Sequence, residues 1–187
     1  MTICEDDLIR RAANGDQEAF RQLWENHHAV AMACALRLCQ HRAMAEEITQ
    51  GAFLLAWRGL PRFRDGSPFR PWLMRILYRH ALDVMEKQRS YLQPLSLDDG
   101  VEMEGHVGTD SCIDLQEQVA LREEVRLALT KLSKDQRRVV ALRYGADLTE
   151  HDIAEVLGWP VGTVKSRLNR ARERLRTLLI DEEGELK

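Results

Sequence analysis

A turn set between two helix-period stripes constrains this chain more than any other feature: residues 148–176, LTEHDIAEVLGWPVGTVKSRLNRARERLR. Ile153, Ala154 and Leu157 fall at helical spacing and define one buried stripe. Thr149 stands where an N-cap would, with Asp152 as its capping-box partner three residues on. Gly158 suits a left-handed position past the helix C-terminus, which a residue with a Cβ would resist. Pro160 cannot continue the first helix but can start the next. Two short helices joined by a tight turn follow, the punctuation of a helix-turn-helix.

The second helix carries the charge. Val161, Val164, Leu168, Ala171, Leu175 and Leu178 step by three and four along one apolar face. Lys165, Arg167, Arg170, Arg172, Arg174 and Arg176 lie largely off that face, against the single acid Glu173. Such a density of cations neutralises phosphates. Base reading needs side chains near the helix N-terminus, and Thr163, Lys165, Ser166, Asn169 and Arg170 are the candidates, since Arg and Lys suit guanine and Asn suits adenine. The bland alternative is a solvated charged helix; turn punctuation and charge together argue against it.

The net charge of −3 conceals a pattern. Residues 62–90 carry +4 and residues 121–180 carry +5, whereas residues 91–120 carry −7. Two basic modules are thus separated by an acidic stretch, and the distribution argues for nucleic acid where the total would not. Residues 93–114 contain Pro94, Gly100, Gly105 and Gly108 and no Lys or Arg, which predicts a flexible linker between two helical domains. Tethering is its plain role; masking a basic surface is the sharper one. With 187 residues, 44% hydrophobic and 30% charged, the chain fits a soluble globular class. No apolar run is long enough to insert into a membrane, and the N-terminus lacks a secretory core. Cys4, Cys34, Cys39 and Cys112 show no framework spacing, so a reducing cytoplasm is expected.

The N-terminal part reads as all helix, over 5–13, 17–39 with Asp16 as cap, and 45–63. Ile48, Ala52, Leu55 and Ala56 form the inward face of the third, which Gly59 and Pro61 end. Gly51 is mid-helix, where glycine costs about 1 kcal/mol relative to alanine; close approach of another backbone is one reason for it. A cationic segment follows at 67–89, with Ser67 and Pro68 as start signals. Arg62, Phe63, Arg64, Phe69 and Arg70 interleave rings with cations, and Trp72, Arg75 and Arg79 continue at helical spacing. That mixture suits unstacked single strands, whose bases stack on rings; each ring taken alone fits a core equally well. His27, His28, Cys34, Cys39 and His41 are close in sequence, but no C-x-x-C is present, so buried Cys and surface His are expected rather than a metal site. No phosphate loop, H-E-x-x-H or nucleophile elbow appears, so neither an enzyme nor a cofactor is expected.

At this point the chain resembles a bacterial RNA polymerase sigma factor of the extracytoplasmic-function group, in the sigma-70 family. AEEITQGAFLLAWRGLPRF (45–63) resembles region 2.2 running into 2.3. Phe69 to Arg89 resembles regions 2.3 and 2.4, with W-L-x-x-I at Trp72, Leu73 and Ile76 and then Asp83. Residues 128–148 resemble region 4.1, and the helix-turn-helix resembles region 4.2. The region 4 likeness is shared with other helix-turn-helix regulators; the pair in this order is specific.

The resemblance implies an all-α chain of two helical domains: region 2 over 1–92, an acidic linker over 93–116, region 4 over 117–180 and an acidic tail over 181–187. It implies that region 2 docks on core RNA polymerase through Glu47 and Gln50, with Phe53 either docking or core. Promoter DNA would be recognised and melted at the −10 element by Arg62, Phe63, Arg64, Phe69, Arg70, Trp72, Arg75 and Arg79. The −35 element would be read by Thr163, Lys165, Ser166, Arg167, Asn169 and Arg170. An anti-sigma factor is the further partner implied, with control in a stress or envelope response inside a bacterial cytoplasm. Three positions depart from the family's usual residues: Gly51 for an acid, Arg79 for an Asn and Glu86 for a cation. A DNA-binding repressor or activator without polymerase contact, or a protein-binding helical adaptor, are the rivals; the likeness over residues 45–89 discriminates against both.

Overall fold

The computed structural model describes residues 4–92 and 124–179, and all its regular elements there are helical. The linker 93–116, the tail and Cys112 lie outside the described residues. Helix α1 (Glu5–Ala13) starts with three acids and ends with Arg10 and Arg11, each charge complementing its end of the helix dipole. Helix α2 (Gln17–Cys39) is capped as expected, since the Asp16 carboxylate accepts the N–H groups of Glu18 and Ala19. It ends where Gln40 turns into the left-handed region at φ 57°. Helix α3 (Arg42–Gly59) begins three residues before the sequence boundary, because the imidazole Nδ1 of His41 accepts the Met44 N–H and so caps it. A single 3-10 turn (Leu60–Arg62) containing Pro61 follows. Helix α4 (Phe69–Leu92) carries the cationic segment.

Helix α5 (residues 124–130) leads into α6 (Lys134–Val140), which opens with a capping box between Ser133 and Gln136. Five residues of π-helix (Ala141–Gly145) widen the backbone before the chain turns back. Helix α7 (Glu150–Leu157) has the Thr149–Asp152 capping box that its sequence announces, and Gly158 takes φ 67°. The carbonyl of Pro160 accepts the N–H groups of Thr163 and Val164, so the proline starts helix α8 (Val161–Leu179) from its N-cap side. In α7, Val156 is buried beside Ile153 and Ala154, whereas Leu157 is half-buried.

The four N-terminal helices pack α1 on α2, α2 on α3 and α3 on α4. The C-terminal helices pack α6 and α7 on α8. Among the described residues one buried cluster runs from Leu8 and Leu23 through Leu73 and Leu77 to Leu142, Ile153 and Leu168, so the two helical domains share apolar contacts. The halves meet where the π-helix rests on α2 and where α7 rests on α4.

Two positions correct the sequence reading. Gly51 makes room for a side chain, not a backbone: a Cβ there would lie 2.0 Å from Nε2 of His80. His27 is buried rather than on the surface, with Nε2 2.6 Å from the Glu5 carboxylate, tying α1 to α2.

Candidate nucleic-acid interface

The exposed face of α8 is set by what its other face must do. Val164, Leu168 and Ala171 are fully buried, and their spacing fixes the roll of the helix. Lys165, Ser166, Asn169 and Arg170 consequently face solvent, and Thr163 is half-buried at the first turn. Arg167 behaves differently. Its Nη1 lies 2.8 Å from the Asp135 carboxylate, and its guanidinium sits 5.3 Å over the Trp159 ring. It clamps α8 to α6 and the turn, a structural task that leaves it half-buried. Arg172 donates to the Tyr144 hydroxyl at 2.9 Å and to Oδ1 of Asn169 at 3.2 Å. That bond orients the Asn169 amide with its NH2 turned away from Arg172. Tyr144, half exposed beside this face, was not among the sequence candidates; its position depends on the π-helix, which no local pattern announces.

The second cationic face lies on α4 and the loop before it. Arg62, Arg64 and Arg79 are exposed. The rings split by burial. Phe69 is only 1% exposed and anchors the core, with its centroid 5.1 Å from the His27 ring. Phe63 and Trp72 pack edge to face at 4.9 Å, each against Phe69, and both are half-buried. Phe69 is therefore a core ring beneath Phe63 and Trp72 and offers no face of its own to solvent. Arg70 and Arg75 point across the seam, at 3.7 Å from Asp147 and 3.4 Å from Glu155.

On α3, Glu47 and Gln50 are exposed on one stripe. Leu54 continues that stripe one turn on and is 61% exposed, an apolar group that the sequence reading passed over. Leu55, expected to face inward, is 42% exposed. Its inward place belongs to Phe53, which is 3% exposed and meets Phe20 and Trp24 at 6.4 Å. Phe53 is thus core and offers no surface to a partner. The thiols are similarly settled: burial pushes Cys34 up to about 12 and raises Cys39 as well, which keeps both protonated. Among the described residues no group of three or more His, Cys, Asp or Glu could hold a metal ion, and no helix is long and apolar enough to cross a membrane.

An exposed acidic and apolar stripe, a ring platform with cations and a helix-turn-helix thus occur in order along one chain. Residues 23–91 match the family described as Sigma-70 region 2, and residues 122–175 match Sigma-70, region 4. The chain is 32% identical over 176 residues to the RNA polymerase sigma-H factor of Pseudomonas aeruginosa, covering 90% of each. It belongs to the sigma-70 family. Within it the chain is an extracytoplasmic-function sigma factor. It is also 30% identical over 178 residues to the ECF RNA polymerase sigma factor SigW of Bacillus subtilis, covering 92% of this chain and 95% of SigW. Among solved structures it is similar to the sigma factor RpoE in complex with the anti-sigma factor NepR from Bartonella quintana. That likeness has a TM-score of 0.70 at 29% identity and covers 86% of this chain and 96% of RpoE. Sigma factors are not enzymes; they confer promoter specificity on one.

Proposed function

We propose that this sigma factor binds core RNA polymerase through the Glu47–Gln50–Leu54 stripe and brings it to promoters gripped at two points. Lys165, Ser166, Asn169 and Arg170, with Thr163 beside them, read the −35 element in the major groove. Arg62, Arg64 and Arg79, with Arg70 and Arg75, hold the phosphates of the −10 strand, and Phe63 and Trp72 stack its unpaired bases. Phe69 and Arg167 hold these surfaces in place. The functional boundaries fall at residues 1–92, 93–116, 117–180 and 181–187, and the chain works where polymerase and DNA are, in the bacterial cytoplasm.

The observation that carries this reading is the occurrence of region 2 and region 4 in one chain, with Arg62, Arg64 and Arg79 exposed in the first and Lys165 and Arg170 exposed in the second. Adding the purified chain to sigma-free core polymerase tests it. Promoter-dependent initiation from a genomic promoter library is expected. Neither core binding nor initiation at any promoter would sink it. The likeness to RpoE held by NepR supports control by an anti-sigma factor. Native purification of the tagged chain should recover such a protein in stoichiometric amount, and recovery of the chain without one counts against that control.

A further inference from the structure

Asn169 stands on the exposed face of α8 with one side of its amide already engaged. Nη1 of Arg172 donates to its Oδ1 at 3.2 Å, and Nε of the same guanidinium donates to the Tyr144 hydroxyl at 2.9 Å. We propose, resting on the −35 role assigned above to α8, that Tyr144 and Arg172 are positioning residues. They fix which way round the Asn169 amide sits, and the fixed amide distinguishes the two orientations of one −35 base pair.

An amide has two settings in which its carbonyl and its NH2 exchange places. The two are alike in shape and opposite in hydrogen bonding. An exposed asparagine without a partner takes either setting, as the base opposite requires. Arg172 removes that choice. A guanidinium carries donors and no acceptor, so only the carbonyl can face it. The reversed amide would turn its NH2 onto Nη1, donor against donor. The carbonyl keeps a second lone pair, and the NH2 keeps both protons, so the held amide still offers a donor beside an acceptor.

The guanidinium is itself anchored from outside α8. Residues 169 and 172 are three apart and share a helix face, whereas Tyr144 arrives from the π-helix Ala141–Gly145. The planar arginine fork spans the two, with Nε on the hydroxyl and Nη1 on the carbonyl. Hydrogen bonding to Tyr144 raises the Arg172 pKa above its ordinary value, and Glu150 at the start of α7 adds to it. A widened turn in the backbone of one helix thus sets a side chain on another.

The major groove supplies the matching distinction. At its centre an A·T pair presents the adenine N6 donor and then the thymine O4 acceptor, and T·A presents them in reverse. The two orientations of a guanine–cytosine pair differ in the same way. Inverting a base pair therefore exchanges donor and acceptor and changes nothing else in its make-up. A free amide follows the exchange by turning over; a held one does not. The discrimination comes from excluding the inverted pair, not from gripping the preferred one harder.

The test uses the full chain assembled with core polymerase and competition binding on duplex promoters. Asn169→Ala locates the base pair, as the position where its loss makes a pair and its inverse equal. Wild type should prefer one orientation there about tenfold. Arg172→Met should raise affinity for the inverted pair about fivefold, the loss of a single hydrogen bond. Affinity for the preferred pair should fall no more than about twofold, since half the amides still sit correctly. Tyr144→Phe removes a hydroxyl and no charge, and should act in the same direction by about twofold. A damaged helix weakens binding to every promoter and strengthens it to none, so the gain on the inverted pair separates positioning from mere support. No gain with Arg172→Met would overturn the assignment. So would a uniform loss with a salt slope smaller by about 0.9, which would make Arg172 a phosphate contact. No gain with Tyr144→Phe would remove Tyr144 from the pair. If Asn169→Ala alters no base preference while Arg170→Ala does, positioning falls and the −35 role of α8 stands. If neither alters any, that role falls as well.

Discussion

At the scale of single residues, exposure divides recognition from support. Arg170 has no protein partner among the bonds that define α8, whereas Arg167 is spent on Asp135 and Trp159. Replacing Arg170 with Ala should cost about 1–3 kcal/mol of discrimination at one −35 base pair. Competition binding with single-base promoter variants checks this, and an unchanged preference would remove Arg170 from the reading set. Gly51 offers a sharper test, since opposing effects meet there. Alanine should gain about 0.5–1 kcal/mol of helix stability, but its Cβ would collide with the His80 ring, and overpacking costs about 1–3 kcal/mol. Gly51→Ala should therefore destabilise the wild type yet stabilise a His80→Ala background, as read by urea melts. The same sign in both backgrounds would mean that His80 is not what excludes a side chain. Spacing placed Gly51 in mid-helix but could not identify its neighbour, which comes from α4.

At the scale of elements, the ends were legible because caps are local chemistry. Asp16, Thr149, Gly158 and Pro160 each act within a few residues of themselves, and each does in the structure what its position announces. The same ends carry pH dependence. The backbone N–H of Ala19 and then the Arg11 guanidinium hold the Asp16 carboxyl below its ordinary value. Arg21 and then Gln22 hold Glu18 down at about 2. Both folded-state values are depressed, so their stabilisation is present above the ordinary carboxylate range and is lost as pH falls through the folded values. Thermal midpoints should fall between about pH 4.5 and pH 2, and Asp16→Asn should flatten part of that fall. An identical profile in the variant would show that the cap does not titrate with folding. What local chemistry did not announce was inward and outward choice on α3. Phe53 and Leu55 are both large and apolar, and which one turns in is set by the rings of Phe20 and Trp24 on α2.

At the scale of the whole molecule, the proposed promoter grip rests on local charge, since residues 62–90 and 121–180 are basic although the total is −3. Promoter affinity of the polymerase complex should fall steeply with salt, since each neutralised phosphate contributes about −0.9 to the slope of log affinity against log salt. Removing Arg62 and Arg64 together, both assigned to phosphates of the −10 strand, should reduce that slope by about 1.4, at about 0.7 per contact on a single strand. A slope insensitive to both would place the DNA elsewhere.

The sequence by itself determined the helical class, the order of two basic modules, the caps and turns, and which face of α8 is cationic and exposed. These depend on periodicity and on interactions a few residues long, which a linear string records. Only the tertiary structure decided that Phe69 is buried against Phe63 and Trp72, that Arg167 is a clamp and that Leu54 shares an exposed stripe with Glu47 and Gln50. It alone decided that the two halves share one core, with Gly145 against Cys34. Those outcomes depend on contacts between residues tens of positions apart, where competing apolar side chains are equal in pattern and packing selects among them.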